Sequence, residues 1–165
     1  MFWIGLAVSL AALDLGLKEL VEERDDGEFP VEMPKTRGKI MLHKSHNSGL
    51  PFGLLKKRPD LVKMIPIAAA SSVFGVFVYV MGKKGKIGEK IALSMVLGGA
   101  LSNIIDRCRR GYVVDYFSFQ VRGLKKVIFN LGDLFVFAGT ILMAITQALP
   151  EKQAFHRENS LPEEK

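Results

Sequence analysis

The stretch "IALSMVLGGALSNIIDRCRRGYVVDYF", residues 91–117, decides how this chain is read. It opens as an apolar run with Ser94, Gly98 and Ser102 spaced four apart, then ends abruptly in Asn103, Asp106 and the arginines 107, 109 and 110. Small residues at that spacing let helix backbones approach closely, which is how spans pack where lipid supplies no hydrophobic drive. The charges mark a boundary with water. Beyond them Asp115 stands in the apolar setting "YVVDYF", with no basic residue within four positions.

Working outward, apolar residues gather into four blocks, at about 1–21, 64–81, 87–105 and 127–149. Residues 64–81 carry no charge over eighteen positions, about the minimum for crossing the hydrocarbon core. The first block begins Met-Phe-Trp without a basic residue, and Asp14, Lys18 and Glu19 interrupt its second half. That pattern predicts a retained helix rather than a cleaved leader. The expected fold is therefore an α-helical membrane protein with four transmembrane helices. A small β-sheet is expected between spans 1 and 2, where segment 22–60 mixes turn formers with β-formers. The domain covers residues 1–150, and a polar tail follows over 151–165.

The totals agree. The 165 residues leave room for one domain, and the mean hydropathy of +0.20 averages apolar blocks with long polar connections. The net charge of +6 sits beside the apolar blocks and forms no interleaved aromatic–basic face. Anionic lipid headgroups suit such cations better than nucleic acid does. A single cysteine, Cys108, excludes an internal disulfide and a multi-cysteine metal site. His43 and His46 lack a third ligand at metal-binding spacing, and Ser71–Ser72 has no local base, so both pairs read as structural. Four spans place the termini on one side and segments 22–60 and 106–126 together on the other. Lysines 83, 84, 86 and 90 favour a cytoplasmic loop, but the two longer segments hold more Lys and Arg, so charge counting leaves the orientation open.

Charges inside apolar spans cost about 2.5–3.5 kcal/mol each on insertion scales, so each needs a partner or a task. Asp14 and Lys18 lie one helical turn apart, acid first, which suits an ion pair; they either hold the first span to the bundle or help shape a polar pocket. Asn103, Asp106 and Arg107 share one face, with Arg107 placed to keep Asp106 ionised. Asp115 and Asp133 have no obvious local counter-ion. Facing each other, they could share a proton and activate a water for amide hydrolysis. Otherwise Asp115 caps a surface turn and Asp133 pairs with Lys125 or Lys126.

These residues resemble the signature blocks of the lipoprotein signal peptidases (signal peptidase II). The first block is matched at Gly98, Gly99, Ala100, Asn103, Asp106, Arg107, Gly111, Val113, Asp115 and Tyr116, and the second at Phe129, Asn130 and Asp133. Asp14 and Lys18 fit a first-span motif, and Asn47, Gly49 and Phe52 fit one in the first outer loop. The resemblance covers residues 1 to about 149. It implies that Asp115 and Asp133 are the catalytic pair, with Asn47, Asn103, Asp106, Arg107 and Asn130 around them. The implied substrate is a diacylglyceryl-modified prolipoprotein, cut before its lipidated cysteine, with no metal or organic cofactor. Implied too are a place in the bacterial inner membrane, cytoplasmic termini, and an active site and sheet toward the outer leaflet.

Three departures stand out. Leu50–Pro51 replaces the family's usual Ala-Ala, Gly132 its usual Ala, and Ser102 its usual Gly. They support a second reading, a non-catalytic or substrate-shifted relative that binds lipidated peptides. A Gly-x-Gly-Asp intramembrane protease fits poorly, because Asn130 stands where the first glycine belongs. A transporter would need matching helix breaks in two halves, and no repeat is visible.

Overall fold

The computed structural model describes residues 1–49, 55 and 57–148. Leu50, Pro51, Phe52 and the tail over 151–165 lie outside the described residues. Helix α1 runs Phe2–Glu22, α2 Pro59–Met81, α3 Ile87–Arg109 and α4 Leu131–Ala148. Strands β1 (Val31–Glu32) and β2 (Ile40–Asn47) lie between α1 and α2, and β3 (Val113–Phe119) lies between α3 and α4. The helices extend or trim the apolar blocks by a few residues. The largest change is at α2, which begins five residues before its apolar block, at Pro59, while residues 127–130 lie outside α4.

Three helices, α2, α3 and α4, are long and apolar enough to cross a bilayer. Their outward faces are apolar, with Phe74, Val78, Phe137 and Ile141 all more than half exposed. Such an exterior suits lipid, not water. Helix α1 matches them in length but carries Asp14, Lys18, Glu19 and Glu22 in its second half.

Helix α3 is the hub and packs against α1, α2 and α4. Its small residues explain how. A side chain on Gly98 would place a Cβ 2.7 Å from the Ala7 carbonyl oxygen of α1, so only glycine permits this approach. Ser94 donates its hydroxyl to the Trp3 carbonyl at 3.0 Å. On the α4 side, Gly99 faces the Gly132 backbone, and Gly139 lies where a Cβ would meet the Ala92 carbonyl oxygen at 2.7 Å. The buried positions of α1 are Ala7, Ala11, Asp14 and Lys18, a single stripe at helical spacing.

The sheet is antiparallel in the order β1-β2-β3, so the expectation of a sheet built between spans 1 and 2 is only partly right. Its third strand comes from the segment after α3. That strand, "VVDYFSF", is buried from Val113 through Ser118. It pairs with β2 from Ile40↔Phe119 to Asn47↔Val113, with a bulge between Leu42 and Ser45. The register pairs Asp115 with Ser45 and leaves Asn47, two residues further along β2, within reach of Asp115.

Candidate active site

Two local devices bring Asp115 and Asp133 together. After β3 the chain turns back, and Phe129 bridges to Phe117: each donates its N–H to the other's carbonyl, at 2.8 and 3.0 Å. This lays Asn130 alongside Asp115. Asn130 is also the first-turn cap of α4. Its Oδ1 accepts the Asp133 N–H at 2.8 Å, while Asp133 Oδ2 accepts the Asn130 N–H at 3.3 Å, the reciprocal pattern of a capping box. Its remaining group, Nδ2, donates to Asp115 Oδ1 at 2.7 Å. One asparagine therefore ties both aspartates.

Each carboxylate also has a second amide. Asn47 Nδ2 donates to Asp115 Oδ2 at 3.1 Å, and Asn103 Nδ2 donates to Asp133 Oδ1 at 2.9 Å. Asp115 and Asp133 line one pocket of about 280 Å³ with Asn47, Asn103, Arg107 and a largely apolar wall that includes Ala100, Ile128 and Val136. Burial, together with the nearby charge of Asp133, pushes the Asp115 carboxyl up from its ordinary 3.8 to about 6. The hydrogen bonds from Asn130 and Asn47 pull the other way. A carboxyl so placed can change protonation near neutral pH, which a surface aspartate does not.

Behind the pocket lies a buried network. Lys18 is wholly buried, with Nζ 2.7 Å from Asp14 Oδ2 and 3.4 Å from Asp106 Oδ2. It donates to Asn103 Oδ1 at 2.7 Å and to the Ser102 hydroxyl at 3.0 Å. Lys18 thus fixes which way the Asn103 amide faces, and that amide holds Asp133. Asp14 accepts from Ser102 at 2.5 Å and from the Tyr116 hydroxyl at 3.0 Å. Tyr116 in turn accepts the Leu131 N–H at 3.0 Å. Burial and the adjacent Asp14 push the Tyr116 phenol up, so it remains a donor.

The expected ion pair of Asp14 with Lys18 is present, and the pair both anchors α1 and shapes the polar region. The expected hold of Arg107 on Asp106 is only partly present: among the described residues no hydrogen bond or short ion pair joins them. Asp106 accepts the Val114 N–H at 3.2 Å and faces Lys18 and Arg110 instead. Successive helix residues point apart, so a neighbour in sequence is not a neighbour in space. Arg107 reaches across to the Gly49 carbonyl at 3.1 Å and to the Asn103 carbonyl at 3.3 Å, and its buried Nε has no partner among the described residues. Gly49 N–H donates to Asn47 Oδ1 at 3.0 Å, which orients that amide. The alternative roles for the two aspartates fail: Asp115 is buried, and Asp133 bonds Asn103 and Asn130 while Lys125 and Lys126 stand exposed. His43 hydrogen-bonds Ser118, and His46 meets Glu22.

Ser102 and Gly132, marked in the sequence only as a member of a small-residue stripe and as departures from the family pattern, both enter the network. A Cβ on Gly132 would lie 2.8 Å from Asp14 Oδ2 and 3.0 Å from the Gly99 carbonyl oxygen. The glycine serves close packing of α4 on α3.

Apolar helices of bilayer length around a pocket with two buried carboxylates define a membrane-embedded protein with a polar site at one end of its bundle. A family model described as signal peptidase (SPase) II matches residues 6–149, and the chain belongs to that family. It is accordingly a peptidase, a hydrolase with membrane-spanning helices. A lipoprotein signal peptidase of Brucella ovis is 31% identical over 149 residues, spanning 89% of this chain and 91% of that protein. One from Clostridioides difficile (strain 630) is 37% identical over 99 residues, spanning 60% of this chain and 64% of that protein. Two bacterial membrane enzyme structures obtained by the in meso method share the fold, with TM-scores of 0.73 and 0.75 at 24% identity. They cover 99% and 90% of this chain, and each is covered over 94% of its own length.

Proposed function

We propose that this chain is an intramembrane aspartic endopeptidase that removes the signal peptide from diacylglyceryl-modified prolipoproteins, cutting on the amino side of the lipidated cysteine. The observation that carries this reading is Asn130, which ties Asp115 and Asp133 to one pocket whose remaining lining is apolar apart from Asn47, Asn103 and Arg107. Two close carboxylates do not both ionise cheaply, so the pair shares a proton. The ionised one takes a proton from water as its oxygen attacks the scissile carbonyl carbon. The protonated one gives its proton to the carbonyl oxygen. The tetrahedral diol then collapses: the C–N bond breaks, the leaving nitrogen takes a proton from the dyad, and the signal peptide departs with a new carboxyl group.

The surrounding residues suit such a substrate. A peptide unwound for cutting at membrane depth brings amides that find no water, and Asn47, Asn103 and Arg107 line the pocket with polar groups to meet them. Among the described residues the Arg107 Nε–H has no partner and is a donor that a substrate carbonyl can take up. In this reading α1 is a fourth span. Its charges Asp14 and Lys18 turn inward onto α3, while Ile4, Val8 and Leu13 face outward. The termini lie on the cytoplasmic side, and the sheet and pocket lie toward the outer leaflet. The test offers the purified protein a prolipoprotein with and without the diacylglyceryl group, and weighs the products by mass spectrometry. Release of the signal peptide, cut before the cysteine and only from the lipidated form, is expected. Equal cutting of both forms would contradict the substrate assignment, and no cutting of either would contradict the activity.

A further inference from the structure

We propose that the free end of the sheet is a binding surface for anionic phospholipid headgroups, separate from the peptide pocket. Two segments meet there. The turn between β1 and β2 holds Lys35, Arg37 and Lys39, and the segment from β3 toward α4 holds Arg122, Lys125 and Lys126. They are joined where the Gln120 N–H donates to the Lys39 carbonyl at 2.8 Å and where Ile40 pairs with Phe119. All six side chains are exposed, and neither 33–39 nor 120–126 contains an acid. The nearest acid in the β1–β2 turn, Glu32, has its carboxylate turned to the Gly38 N–H.

Charge alone would suit many partners, and two further observations select lipid. Apolar side chains interleave the cations: Val31, Met33, Val121 and Leu124 are all exposed. The depth is also fixed. Val127 and Ile128 follow the second basic segment directly and line the pocket beside Ala100, Val136 and Phe137, positions inside α3 and α4. The cations therefore stand at the level where hydrocarbon gives way to headgroups. Beneath this end of the sheet runs a groove of about 520 Å³ lined by Leu20, Phe29, Ile40, Phe119 and Leu134, among others. An acidic protein partner would have to displace the bilayer from this position, whereas an anionic headgroup would not. Cations at such a surface attract anionic lipid by roughly fivefold each, an attraction that salt screens.

Bound headgroups would hold down the sheet that carries Asn47 and Asp115. The lipid contact itself is measured without any cleavage, so it stands or falls apart from the peptidase reading. The full chain is placed in nanodiscs of phosphatidylcholine with phosphatidylglycerol, and spin-labelled versions of each lipid report the fraction held at the protein. The parent is expected to prefer phosphatidylglycerol roughly fivefold or more. That preference should fall toward one in the variant with Lys35, Arg37, Lys39, Arg122, Lys125 and Lys126 all changed to Gln, and it should weaken in high salt. A control changing Lys83→Gln and Lys84→Gln, in the loop at the opposite end of the bundle, should keep it. Equal retention of both lipids by the parent would overturn the proposal. So would a preference that survives the sixfold change or is lost in the control, and the parent's salt response decides the matter if the sixfold variant does not fold.

Discussion

Lys18→Met is the most informative perturbation of the buried network. The side chain keeps its length and loses its charge. Lys18 stands 2.7 Å from Asp14 and 3.4 Å from Asp106, and both carboxylates are wholly buried. Removing one partner of a buried ion pair typically destabilises a protein by about 3–5 kcal/mol, because the other charge is left stranded. Here Asp14 keeps the Ser102 and Tyr116 hydroxyls, and Asp106 keeps the Val114 N–H and Arg110. Those remaining partners place the expected loss near the lower end, about 3 kcal/mol. Changing Asp14→Asn as well should recover part of it, since one stranded charge disappears. Reversible chemical unfolding in detergent micelles measures both. The folded fraction should also be about a hundredfold slower, because Asn103 loses the donor on Oδ1 that keeps its Nδ2 toward Asp133. A Lys18→Met protein within about 1 kcal/mol of the parent, with full activity, would refute this account of the network.

Three other outcomes are expected. Asn47→Ala removes a donor from ionised Asp115 and so raises that carboxyl further; the alkaline limb of the cleavage profile, where the dyad loses its shared proton, should move up by about one pH unit. Because the folded Asp115 titrates near 6 instead of 3.8, its contribution makes the protein less stable as pH rises from about 4 to 6 and is flat above; unfolding midpoints of the parent and Asp115→Asn across that range show it. Gly132→Ala should destabilise by about 1–3 kcal/mol through its approach to Asp14 Oδ2, and Ser102→Gly in the same chain should offset part of that, because Ser102 holds the same oxygen; simple additivity in a double-mutant cycle would count against the coupling.

Much of the site is legible in the sequence, for definite reasons. A lone carboxylate in an apolar setting is costly, which singles out Asp115 and Asp133, and helical spacing pairs Asp14 with Lys18 and lines up Ser94, Gly98 and Ser102. What stays hidden depends on contacts between distant segments. "VVDYFSF" is buried without alternation, so no period marks it as the strand that completes the sheet. Lys18 reaches Asp106 across 88 positions of sequence, a pairing that no local spacing shows, whereas Arg110, one helical turn beyond Asp106, is within reach of local spacing. Asn130 reads as one motif residue, yet it works three times, because the turn at Phe129 and the start of α4 coincide there. Gly132 shows its role only once α3 is seen packed against it.

The central claim is that Asp115 and Asp133 together activate one water against the scissile amide. Its most direct test is single-turnover cleavage of a diacylglyceryl-modified prolipoprotein in ¹⁸O-water, by the parent and by Asp115→Asn and Asp133→Asn proteins shown to be folded and to bind the precursor. The account predicts one ¹⁸O in the new carboxyl group of the signal peptide released by the parent, and no product from either variant. Substantial cleavage by either folded variant, or release of a signal peptide without ¹⁸O, would contradict it.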